Sequence, residues 1–136
     1  MSTLFERNLF FAVTGKYPPS RKRKPRREIP ARDEVYKAWI RSLRCCACGR
    51  SRGIEAAHVG KDGGRGVKCS DYATVPLCHI CHRTGPHSYH GLNGGARSFQ
   101  AMWCIDFRAL VEKYNAIYAA LNGIDAGVIA RARGRV

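Results

Sequence analysis

Acidic residues are scarce in this 136-residue chain, where 10 Asp and Glu stand against 24 Lys and Arg and leave a formal net charge of +14. That surplus exceeds what solubility requires and points to an anionic partner, foremost nucleic acid. Long apolar runs are missing as well. No stretch of 18 apolar residues occurs, so no helical membrane span is predicted. The opening segment, Met1 to Gly15, is rich in Leu and Phe, but Glu6 and Arg7 interrupt it and no small-residue cleavage site follows. A signal peptide is therefore not predicted. The length leaves no room for two full domains.

Cysteine and histidine, by contrast, are abundant and concentrated. Six of the seven cysteines and all five histidines fall between residues 45 and 90. A core that merely tolerated these residues would scatter them, whereas a metal site must gather them. Without an export signal, the thiols are expected to be reduced or metal-bound in the cytoplasm. Cys45 and Cys48, and again Cys78 and Cys81, each form a Cys-x-x-Cys, a spacing that lets two thiolates of one tight turn take two corners of a tetrahedron. Together they predict a four-thiolate zinc site whose closed coordination makes the Zn2+ structural. Cys46 and Cys69 are the alternatives should one of these four be misassigned. A redox pair would need only one such turn, in a strand-helix-strand setting that neither has.

Ahead of the cluster, Lys16 to Arg32 carries eight cations against Glu28 alone, hence +7, with four prolines that prevent a helix. Residues 1–32 are read as an extended, disordered basic arm able to neutralise phosphates, with Arg21, Lys22, Arg23, Lys24, Arg26 and Arg27 as its contacts. From Asp33, a capping residue, Val35, Tyr36, Trp39, Ile40 and Leu43 recur at helical spacing. Behind Ser98, the series Phe99, Trp103, Phe107, Leu110, Tyr114, Ile117 and Leu121 predicts one helix of about six turns whose aromatic stripe closes over the metal-bound middle. Residues 33–122 form the predicted domain. Residues 123–136, with Arg131, Arg133 and Arg135, are read as a disordered basic tail.

Between the cysteine pairs, a strand-like segment from Arg52 to Val59 contains His58, and Thr74 to Leu77 predicts a second strand. The connecting loop alternates Gly60, Gly63, Gly64 and Gly66 with Lys61, Arg65 and Lys68, where bare backbone and long cations can approach a phosphate. A helix beginning near Cys78 would present His82, and Gly85-Pro86 should interrupt it.

The order Cys-x-x-Cys, Ala57-His58-Val59, a Gly-rich stretch with Lys68 and Asp71, then Pro76-Leu77-Cys78-x-x-Cys81-His82 and a further His resembles the HNH, or ββα-metal, endonucleases, in particular small phage and prophage members with a zinc-knuckle core. The resemblance covers about residues 43 to 92 and implies an α+β fold: a small treble-clef-like, zinc-stabilised ββα-metal core flanked by an N-terminal helix and a long C-terminal helix. It further implies a metal-dependent endonuclease that hydrolyses DNA, single- or double-stranded, in a bacterial or phage-infected cell. A recombination or replication protein would direct it. His58 matches the general base. His82 matches the helix ligand of a catalytic Mg2+ or Mn2+, with His90 as second ligand and His87 as the alternative. Two features depart from the pattern. Ala57 stands where many members have a metal-binding carboxylate, and no Asn lies between His58 and Cys78, so Asp71 or Lys68 would orient the base. If His58 and His82 are only packed, the chain is instead a non-catalytic zinc module that binds nucleic acid.

Overall fold

The computed structural model describes residues 30–63 and 67–136. The arm contacts Arg21, Lys22, Arg23, Lys24, Arg26 and Arg27, and the loop residue Arg65, lie outside the described residues. The described chain is α+β, with one two-stranded antiparallel sheet and several helices.

Helix α1 (Glu34–Arg41) starts where Asp33, in extended backbone, accepts the Tyr36 N–H at 2.9 Å, satisfying an amide that the first turn leaves unpaired. Its buried face is Tyr36 and Ile40, four residues apart. A tight turn follows, closed by the Gly49 N–H donating to the Cys45 carbonyl at 2.9 Å. Gly49 adopts φ +76°, a left-handed conformation that side chains disfavour. Strands β1 (Ile54–His58) and β2 (Thr74–Cys78) then pair with Ile54 opposite Cys78 and His58 opposite Thr74. The free edge of β2 is not idle, because the Pro76 carbonyl accepts the Cys46 N–H at 2.9 Å and thereby docks the first cysteine turn against the sheet. Gly60, read from sequence as an opening for phosphate, has a packing role: a Cβ there would stand 2.9 Å from Cys69 Sγ and Ala73 Cβ.

After β2 comes a single π-helical turn, Ile80–Thr84, which stops at Gly85 as its Gly-Pro sequence requires. The C-terminal half departs from expectation twice. The six-turn helix is two helices, α2 (Ala96–Trp103) and α3 (Phe107–Asn122), because Cys104 takes a left-handed conformation and the Asp106 carboxylate caps a new start by accepting from Arg108 and Ala109 N–H groups. The break lets Phe99 and Phe107 stack with centroids 5.6 Å apart, which one straight helix would forbid. The aromatic stripe holds only in part. Phe99 and Phe107 are buried, but Leu121 is 68% exposed, and Val111, Asn115, Tyr118 and Ala119 take the core positions of α3. The expected disordered tail also contains a helix, α4 (Ala126–Arg133), capped by Asp125 and anchored by buried Ile129.

Two apolar clusters result. One joins Cys45, Cys78 and Cys81 to Val75, Leu77, Phe99, Phe107 and Val111; the other joins α1, α3 and α4 through Tyr36, Ile40, Tyr118, Ala119 and Ile129. Asn115 links α3 to α1 and the β1–β2 connection, donating to Tyr36 Oη at 2.8 Å and to the Tyr72 carbonyl at 2.9 Å. Among the described residues no helix is long and apolar enough to cross a membrane.

Candidate metal centre and histidine sites

The sulfurs of Cys45, Cys48, Cys78 and Cys81 lie within 4.8 Å of one another. Cys48 and Cys78 Sγ are 3.6 Å apart, close to the roughly 3.8 Å that tetrahedral geometry gives for Zn–S bonds of about 2.3 Å. These four cysteines could therefore hold a metal ion such as zinc. The donor set fits electrostatically too. Burial opposes the Cys45 thiolate, but backbone hydrogen bonds from Cys48, Cys78 and Ala47 outweigh it and bring its pKa down to about 7. Burial and the neighbouring sulfurs push the Cys81 thiol up. Four thiolates this close repel one another, and a divalent cation relieves that repulsion. The alternatives stand apart: burial, then the charge of Cys45, raises Cys46 to about 12, and burial raises Cys69.

At the other end of the hairpin, His58 Nε2 lies 2.8 Å from Asp71 Oδ1. The strand brings the ring there, and the connection before β2 returns the carboxylate to meet it. Asp71 is 1% exposed, yet it is fully partnered. Its Oδ2 accepts the Asp33 N–H at 2.9 Å, Lys37 Nζ stands 3.6 Å from the same oxygen, and an Arg32 guanidinium nitrogen stands 3.5 Å from Oδ1. Burial alone would raise the Asp71 pKa, but the hydrogen bonds from His58 and Asp33 and the charge of Lys37 lower it. For His58, burial lowers the pKa from its ordinary value against the opposing pull of Asp71, and the charges of Lys68 and Lys37 lower it further. Of the two orienting candidates left open by the sequence, Asp71 makes the contact. Lys68 is exposed, as is Lys61.

His82 belongs to a second network. It is 4% exposed, and its Nδ1 is hydrogen-bonded to Glu55 Oε2. Glu55 also pairs with His79 Nδ1 at 3.1 Å and Arg83 Nε at 3.2 Å. Burial would raise the Glu55 carboxyl, but hydrogen bonds from His82, His79 and Arg83 hold it down at about 2. The bond to Glu55 leaves His82 Nε2 as the nitrogen for a further partner. His90, exposed, sits against His82 with ring centroids 4.9 Å apart, and its N–H donates to the His82 carbonyl at 3.0 Å. His87, the alternative, points elsewhere: it lines a cleft of about 260 Å³ with Cys48, Cys78, Cys81 and Trp103. Glu55 was missed from sequence, since its partners lie 24 to 28 residues away.

The two networks are separate. Glu55 and His58 are three residues apart on β1, so strand geometry sends them to opposite faces, about 10 Å apart along the chain. Between them Ala57 is fully buried in the cysteine-side core and offers no ligand.

A family model described as "Protein of unknown function (DUF968)" matches residues 7–91. The chain belongs to this DUF968 family. The match contains the four clustered cysteines, the His58–Asp71 pair and the Glu55–His82–His90 group, and it ends before α2, α3 and α4. No curated protein and no solved structure matches the chain.

Proposed function

We propose that this chain is a metal-dependent endonuclease of the HNH type that hydrolyses phosphodiester bonds in DNA. The observation that carries the reading is His58 at the end of a hairpin strand, its Nε2 engaged by a buried carboxylate and its side chain still 18% exposed to solvent. With burial holding its pKa below the ordinary value, His58 is neutral at pH 7 and can take a proton from an attacking water. Lys68 and Lys61, with the basic arm and Arg65, would hold the phosphate backbone.

In this reading the cysteine turn, the hairpin and the cysteine-bearing helical turn make a treble-clef-like ββα-metal core around a structural Zn2+. The resemblance assigns a divalent cation such as Mg2+ or Mn2+ to His82, steadied by Glu55, and His90, with water completing its shell. Because Glu55 and His58 leave opposite faces of β1, such a cation reaches the phosphate that His58 serves only if the substrate spans the strand edge. When bound, such a cation supplies Lewis acidity to a phosphoryl oxygen and the departing 3′ oxygen. The reading implies work in the cytoplasm of a bacterial or phage-infected cell, directed to its DNA by a recombination or replication protein.

Incubating the full chain with single- and double-stranded DNA, with and without Mg2+ or Mn2+, tests the proposal. Divalent-dependent products that vanish in His58→Ala support it. Duplex binding without cleavage under any ion would favour a non-catalytic zinc module that binds nucleic acid. Fully buried Ala57, at the position where many HNH proteins carry a metal-binding carboxylate, favours that second reading.

A further inference from the structure

Apolar side chains left singly on a surface are ordinary, and Val35 and Leu121 are such cases at 69% and 68% exposure. Leu92 differs in degree and in setting. It is 106% exposed, so no part of its side chain is covered, and it stands at the tip of a turn that is tied down from below. The turn is closed by the Gly94 N–H donating to the Gly91 carbonyl at 2.9 Å. At its base the Tyr89 N–H donates to the Cys81 carbonyl at 2.8 Å, the His90 N–H to the His82 carbonyl at 3.0 Å and the Gly95 N–H to the Tyr89 carbonyl at 2.8 Å. The Tyr89 ring packs edge-on against Phe99 and Phe107, with centroids 5.8 and 5.5 Å away. The two glycines beside the tip let the turn close this tightly, since a Cβ at Gly91 would stand 2.6 Å from Ser88 Oγ and one at Gly94 2.7 Å from the Ser88 carbonyl oxygen. A leucine on a slack loop can fold back onto apolar surface, whereas this turn holds Leu92 in water.

The surroundings of the tip select its partner. From Tyr72 to Ile105 the chain has no Asp or Glu, and Glu55, which reaches this region from β1, is spent on His79, His82 and Arg83. Exposed His90 precedes Leu92 by two residues, a reach of about 7 Å along the backbone, and Arg97 is exposed in the first turn of α2. An anionic partner fits such a surface. One leucine covers far too little area for a protein interface, which needs roughly 800 Å² from each side, but it suits the gap between two parted base pairs. We propose that Leu92 is a wedge that inserts between adjacent base pairs of duplex DNA and unstacks them beside the His82–His90 group. The turn is built for that task, because a wedge opens a stack only if its own backbone does not yield. The inference rests on the reading above in taking DNA as the partner, but it requires no cleavage and holds equally for a non-catalytic module.

The test uses the zinc-loaded full chain, without added Mg2+ or Mn2+, and a short duplex carrying 2-aminopurine, whose emission rises when the base is unstacked. Saturation is followed separately by the anisotropy of a dye on one end of the duplex. The wild type at saturation should raise the emission at least about twofold and kink a doubly end-labelled duplex by about 20–90°, read as increased energy transfer between its ends. Leu92→Ala removes only an exposed side chain and leaves the turn intact. It should still saturate the duplex while emission stays at the level of free DNA, and Leu92→Phe, a larger apolar wedge, should restore the rise. Wild type that saturates the duplex with no rise, or Leu92→Ala that gives the full rise, overturns the wedge and leaves the endonuclease reading standing. A wild type that binds no duplex overturns the nucleic-acid reading itself, so the two failures are distinguishable.

Discussion

The cysteine cluster and the His58–Asp71 pair occupy opposite ends of one hairpin, Cys78 opposite Ile54 at one end and His58 opposite Thr74 at the other, yet they are held by different means. Each cysteine pair comes from a single turn with its members three residues apart, so local backbone geometry aims both sulfurs. Once aimed, they need only a cation to neutralise them. The His58 pair draws on residues 13 apart and is braced by Asp33, 38 residues before Asp71. One end is thus a local device that a metal ion could complete, and the other is a product of packing α1 against the sheet. The two ends should fail in different ways.

The largest effect is expected at the cysteine end. Stripping the metal, or changing Cys78→Ser, should remove stabilisation on the order of 10 kcal/mol and unfold the chain, as seen by metal analysis and a thermal melt with chelator. Because β2 carries Cys78 at one end and Thr74 at the other, the His58 end should be lost with it. Full thermal stability of a metal-free protein would show that the core stands without the cluster.

At the other end, His58→Ala should reduce cleavage at least about a hundredfold with metal content near wild type, and should lower stability by about 1 kcal/mol because buried Asp71 loses one hydrogen bond but keeps Asp33 N–H, Lys37 and Arg32. The pH profile sharpens this. Since the folded-state pKa of His58 lies below its ordinary 6.5, the neutral ring persists at pH 7 and is lost as pH falls through the lowered value. Cleavage should therefore be on a plateau at neutral pH and decline below pH 6.5, whereas a transition above that value would mean that Asp71 outweighs burial and the charges of Lys37 and Lys68.

A smaller effect separates the two cores. Asn115→Ala strands the Tyr36 hydroxyl and the Tyr72 carbonyl and should cost about 1–3 kcal/mol in denaturant unfolding. It loosens α1 behind Asp71, so cleavage should fall while the metal content holds. The smallest effect is expected from Asp125→Ala, which removes the cap of α4 and should lower stability by about 1 kcal/mol without changing either end.

What could be read in advance follows the range of the interactions. The start of α1 at Asp33, the two strands, the stop at Gly85 and the choice of Cys45, Cys48, Cys78 and Cys81 are visible because capping, alternation and Cys-x-x-Cys spacing act within a few residues. The break at Cys104 was hidden by an aromatic spacing that continues across it, and the burial of Ile129 was hidden by the arginines around it.

The sequence by itself determined the four-sulfur cluster, the basic character and the order of elements as far as Gly85, since charge and short-range spacing survive without a fold. Only the tertiary structure decided that Asp71 and not Lys68 meets His58, that His90 and not His87 lies beside His82, and that Glu55 joins His79, His82 and Arg83. Those choices depend on which face of β1 each side chain leaves and on where α1 and the turn after β2 come to rest. Contacts between residues tens of positions apart are set by packing, which no local pattern encodes.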